Sequence, residues 1–103
     1  MIHLVLSNTL ERKFMDIKQN AKTNLKKAKT HIEKIINMIE EDKYCIDIMQ
    51  QNLAVIGLLK SAHQMLMENH LNTCFLTAMQ SKKNSKQNKM IKEILQVIKY
   101  YNK

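Results

Sequence analysis

The sequence predicts an all-α protein, and three observations carry that expectation. The chain has no proline and a single glycine, Gly57, so the strongest helix breakers are almost absent. Apolar residues recur in steps of three and four over long stretches, which is the spacing of one helix face. At 103 residues the chain has the length of one domain, 1–103, with a modest core that oligomerisation often completes.

The first helix is read from the stripe Phe14, Ile17, Ala21, Leu25, Ala28, Ile32, Ile35 and Ile39. Its other faces carry Lys13, Lys18, Lys22, Lys26, Lys27, Lys29 and Lys34. Residues 1–9 hold a short apolar run with no partner in that stripe and read as a flexible tail. The polar cluster Glu40, Glu41, Asp42 and Lys43 interrupts the stripe, so a break is expected there.

A second helix is expected over about 46–79, with Ile48, Met49, Leu53, Ile56, Leu59, Ala62, Leu66, Phe75 and Leu76 among its apolar residues. The stretch QSKKNSKQNK, residues 80–89, is polar and basic and reads as a loop. A last helix is expected over about 90–101, with Ile91, Ile94, Leu95 and Ile98 on one face. The protomer is therefore long, long, short. Such helices cannot cover their own stripes well, and an antiparallel helical bundle made by two or more chains is the economical solution.

Sixteen lysines and the single Arg12 stand against nine acidic residues, a net charge of +8. That excess implies an anionic partner such as nucleic acid, with ordinary solvated lysines as the alternative. No stretch approaches the ~20 apolar residues of a membrane span. The opening MIHLVLSNTL lacks a basic region and a cleavage site, so it is a poor signal peptide. A cytoplasmic protein with no membrane partner is expected, and Cys45 and Cys74 should then be reduced.

The chemistry is concentrated in NHLNTC, residues 69–74. His70 and Cys74 stand at i and i+4 on one helix face, within reach of one metal ion. An isolated pair of this kind is usually packing and hydrogen bonding. Cys45 adds a third donor, but along one continuous helix it lies about 37 Å from His70. Neither a disulfide to Cys74 nor a shared site within one chain is then possible. Two such helices packed antiparallel would bring Cys45 of one chain beside His70 and Cys74 of the other, giving two identical sites per dimer. His63 shares the face of His70 but lies about 10.5 Å along it, so it reads as a packing group or a partner behind the ligands. His3 and His31 read as ordinary surface residues. No acid–base pair accompanies the donors, and an enzyme is not expected.

The stretches MIEEDKYCIDIMQQNLAV (38–55) and LMENHLNTC (66–74) resemble the copper-sensitive operon repressors, with their nickel/cobalt and formaldehyde-sensing relatives (CsoR/RcnR-type). The resemblance is clear over 25–74 and looser in the last helix. It implies an antiparallel dimer, a dimer of dimers (a homotetramer), and binding to operator DNA that metal weakens, derepressing metal-efflux genes. It implies Cys45 from one subunit and His70 and Cys74 from the other as ligands. Tyr44 matches the family's tyrosine beside the first ligand. Glu93 lies near the family's acidic residue of the last helix, although the aligned position is Met90.

Two thiolates and one imidazole form a soft set that suits Cu(I) as inducer, with Zn(II) and Ni(II) ranked below it. The first helix departs from the family's usual Gly-Gln and arginine pattern at Thr30, His31 and Glu33, while Lys26 and Lys27 retain charge. Phosphate contacts are expected from Lys22, Lys26, Lys27, Lys29 and Lys34, and from Lys82 and Lys83. The alternatives are a metal-binding or trafficking helical oligomer without DNA binding, and a plain oligomerisation module.

Overall fold

A computed structural model describes the backbone of residues 2–103 and the side chains from residue 15 onward. The expectation of a flexible tail over 1–9 is not met over 2–9, whose backbone is helical; the side chains there lie outside the described residues. The architecture is all-α, in three helical rods. Helix α1 is Ile2–Glu40 and α2 is Cys45–His70; a π-helical turn, Leu71–Phe75, continues α2 into the short α3, Leu76–Gln80; α4 is Asn84–Tyr101. The chain divides into two compact units, Met1–Asn69 and His70–Lys103.

In the first unit, α1 and α2 form an antiparallel pair. The buried positions recur every seven residues: Ala21, Ala28 and Ile35 on α1, Val55 and Ala62 on α2. Ala28, Ile35 and Val55 make one cluster, flanked by Ile48 and Leu58. A seven-residue repeat keeps one line of side chains facing the neighbouring helix. Alanines at that line let the two backbones approach closely. Across the same seam Asn24 Nδ2 donates to Ser61 Oγ at 3.0 Å.

The expected apolar stripe of α1 therefore splits in two. Its members Ala21, Ala28 and Ile35 face α2, whereas Leu25, Ile32 and Ile39 stay exposed. Steps of three and four drift around a straight helix, and one helix covers only part of the band. On α2, Met49, Leu53, Ile56, Leu59 and Leu66 are likewise exposed.

The break between α1 and α2 falls where the charged cluster predicts it, and its physical cause is a backbone turn. Asp42 adopts φ 55°. Its N–H donates to the Ile39 carbonyl at 3.1 Å, and the Lys43 N–H donates to the Met38 carbonyl at 2.9 Å. This is the pair of bonds that closes a helix through a left-handed residue, a position usually held by glycine. The Lys43–Glu41 ion pair at 3.7 Å is exposed and adds little.

In the second unit the expected loop over 80–89 is shorter than the sequence suggests. Helix α4 starts at Asn84, which leaves only 81–83 between α3 and α4. Gln87 holds that turn: its side-chain amide donates to the Met79 carbonyl at 3.0 Å and to the Ser81 carbonyl at 2.8 Å. These bonds satisfy carbonyls that the end of α3 would otherwise leave without partners. Polar composition alone does not break a helix when glycine and proline are absent.

Candidate metal centre

Helix α2 sets the spacing of the donors. Cys45 is its first residue and His70 its last, across 26 residues, or about 39 Å of helix. The turn at Asp42 places Cys45 at the helix start, where unpaired N–H groups favour a negatively charged ligand. Tyr44 precedes it, two-thirds exposed, and its carbonyl accepts from the Ile48 N–H at 3.2 Å.

His70 is half-buried and Cys74 exposed. Cys74 lies inside the π turn, and its sulfur accepts a long contact from the Thr73 hydroxyl at 3.7 Å. In a π turn the N–H bonds five residues back rather than four, and such turns often mark functional sites. The wider turn holds more residues, so positions four apart fall just short of a full circuit instead of overshooting it. His70 and Cys74 thus stay on one side of the rod. Both cysteines are free thiols on the surface. With one imidazole they make a soft N/S set suited to copper or zinc.

Among the described residues, no three His, Cys, Asp or Glu side chains are gathered closely enough to hold a metal ion. His63 is half-buried within α2 and has an interaction partner in its own chain. Glu93 is exposed on α4.

His31 differs from its reading as an ordinary surface residue. It is half-buried, and its Nε2 lies 2.5 Å from Gln51 Oε1. The sequence offers only proximity to the apolar lines, His31 beside Ile32 and Gln51 between Ile48 and Val55, and nothing that pairs the two.

All seven candidate phosphate-contacting lysines are exposed: Lys22, Lys26, Lys27, Lys29 and Lys34 on α1, Lys82 and Lys83 in the turn before α4. Lys26 and Lys27 border a shallow groove with Thr23, Thr30, His31 and Leu58. Lys22 borders a second, with Lys18, Gln19 and Leu25. The Thr23 and Thr30 hydroxyls donate back to the Gln19 and Lys26 carbonyls at 3.1 and 3.2 Å, and His31 Nε2 faces Gln51 Oε1, which leaves the two lysines as the groove's donors. No helix among the described residues is long and apolar enough to cross a membrane.

An all-α chain with exposed Cys45 and Cys74, His70 at the end of α2 and a lysine-rich first helix has the features of a metal-sensing regulator. The chain belongs to the metal-sensitive transcriptional repressor family, whose model matches residues 17–100. It is 41% identical over 69 residues to the copper-sensing transcriptional repressor CsoR of Mycobacterium ulcerans, a match covering 67% of this chain and 59% of that protein. It is 33% identical over 95 residues to the CsoR of Bacillus subtilis, covering 92% of this chain and 91% of that protein. To the copper-sensing transcriptional repressor RicR of Mycobacterium tuberculosis it is 39% identical over 61 residues, 59% of this chain and 64% of that protein. The match thus spans less than two thirds of the length of the mycobacterial relatives.

Proposed function

We propose that the protein is a cytoplasmic, Cu(I)-responsive repressor that binds operator DNA in its metal-free form and leaves it on binding copper, derepressing metal-efflux genes. One observation carries the shared site: Cys45 and His70 occupy opposite ends of a single 26-residue helix. Only a second copy, packed antiparallel, supplies the missing ligand to each end. Each site then takes Cys45 from one protomer and His70 and Cys74 from its partner. Tyr44, His63 and Glu93 lie behind the ligands as hydrogen-bonding partners. Two thiolates and an imidazole favour Cu(I) over Zn(II) or Ni(II).

The exposed apolar rows support the oligomer. Leu25, Ile32 and Ile39 on α1 and Met49, Ile56, Leu59 and Leu66 on α2 are 39–60% exposed, and each large aliphatic side chain gains roughly 1.5–3 kcal/mol on full burial. Two dimers would assemble as a homotetramer with four times the protomer's charge of +8. Lys22, Lys26, Lys27, Lys29, Lys34, Lys82 and Lys83 contact DNA phosphates. Closing Cys45 onto the partner's His70 and Cys74 clamps two subunits and selects a geometry that fits DNA poorly. By linkage, copper lowers DNA affinity only as far as it prefers the DNA-free form, a coupling of about 1–3 kcal/mol.

The test is an operator titration with DNA from upstream of its own gene, with and without Cu(I), at matched salt. Affinity should fall on copper addition. Copper binding with equal DNA affinity in both forms, or with none, favours a metal-binding oligomer without a regulatory role.

A further inference from the structure

Helix α2 carries a second seam, distinct from the Ile48, Val55 and Ala62 line that meets α1. It runs Cys45, Met49, Asn52, Ile56, Leu59, His63, Leu66 and His70, in alternating steps of four and three. That spacing defines one face of a helix able to pack on another. Its apolar members are exposed: Met49 59%, Ile56 39%, Leu59 42% and Leu66 40%. A continuous apolar row of this kind needs cover.

The order of steps is the same read from either end. If a second copy packs antiparallel, with the twofold axis between Gly57 and Leu58, the seam meets itself in matched pairs. Met49 faces Leu66, Ile56 faces Leu59, Cys45 faces His70, and Asn52 faces His63. Apolar groups meet apolar groups, and donor meets donor.

We infer that Asn52 of one protomer pairs with His63 of its partner, and that this polar layer fixes the register that brings Cys45 opposite His70. The inference rests on the proposed copper site being shared between antiparallel copies.

The chemistry suits a register lock. An amide offers both donors and an acceptor, and a neutral imidazole offers one of each. The pair can therefore bond in either amide orientation. A slip of one heptad would set Asn52 against Ile56 or His63 against Leu59. Each misplacement buries an unpaired polar group at about 1–3 kcal/mol. A single polar residue in an apolar seam fixes coiled-coil register in the same way. The same slip moves Cys45 about 10 Å along the seam, far outside metal–ligand bonds of roughly 2.0–2.3 Å. The apolar pairs alone do not specify the register, because Met, Ile and Leu substitute for one another at small cost.

Sedimentation of the wild-type chain tests the shared-site reading separately: a monomer there removes the partner and this pairing with it. Given a dimer, Met49→Cys and Leu66→Cys, which face each other in this register and leave Asn52 and His63 in place, are combined in a Cys45→Ser, Cys74→Ser background and oxidised with diamide. A disulfide-linked dimer is expected on a non-reducing gel, since the two positions lie about 25 Å apart within one chain. In a second chain Asn52→Leu is added to the same set of changes, which removes the polar layer; the cross-linked yield should fall severalfold. Failure of the first chain to link, or equal linking of the second, overturns the inference. As a further readout, Asn52→Leu should stay dimeric yet bind Cu(I) about tenfold or more weakly, the usual cost of losing a group that orients ligands. Asn52→Gln, which keeps the amide, should recover most of that affinity. Unchanged copper affinity in Asn52→Leu would equally overturn the role.

Discussion

His31 on α1 and Gln51 on α2 are hydrogen-bonded side chain to side chain, with Nε2 2.5 Å from Oε1. The pair joins the two long helices beside the groove that Lys26 and Lys27 border. A half-buried side-chain bond of this type contributes about 0.5–1.5 kcal/mol. His31→Ala and Gln51→Ala should each lower stability by about that amount. The double variant should cost little more than either single one, since residues in contact couple. Urea unfolding followed by circular dichroism measures all three, and fully additive losses would show that the bond contributes nothing.

Subunit mixing tests the shared copper site. Cys45→Ala chains and His70→Ala, Cys74→Ala chains should each bind Cu(I) poorly alone. Mixed and allowed to exchange, they form heterodimers with one complete site, and high-affinity binding should return. Ligands drawn from a single chain would leave the mixture as poor as its components.

Among single variants, Cys45→Ala should weaken Cu(I) more than His70→Ala. A thiolate supplies charge and softness that an imidazole lacks. Competition against a Cu(I) chelator ranks the two.

Asp42 holds a left-handed conformation at φ 55° that glycine adopts without steric cost. Asp42→Gly should raise stability by about 0.5–1 kcal/mol, the part of the left-handed penalty that survives glycine's greater freedom in the unfolded chain. At Gly57 an added Cβ meets nothing within 4 Å. Gly57→Ala should therefore stabilise α2 by a similar amount, about 0.5–1 kcal/mol. Thermal unfolding of the two variants reads both effects, and a lower midpoint for Gly57→Ala would mean that a neighbour approaches the backbone there.

Lys26→Ala with Lys27→Ala should weaken operator binding and flatten its salt dependence, by about one unit of slope for each phosphate no longer neutralised. Copper affinity should stay unchanged, because neither lysine lies on α2. An unaltered salt slope would move the DNA-binding face elsewhere on the chain.

The sequence by itself determined the all-α fold, the break near Asp42 and the candidate metal donors. Helical spacing, the absence of proline and the positions of Cys45, His70 and Cys74 are properties of the chain that need no neighbour to read. Only the tertiary structure decided which half of the α1 stripe faces α2, because Ala21 and Leu25 look equivalent until a second helix selects the side with room for close approach. It decided that His31 is a link between helices, since Gln51 is remote in sequence and near only in the hairpin. It placed the start of α4 at Asn84, where periodicity was silent because the segment lacks apolar residues and the Gln87 side chain closes the turn. It put Cys74 inside a π turn, a feature set by backbone hydrogen bonding that residue types leave open.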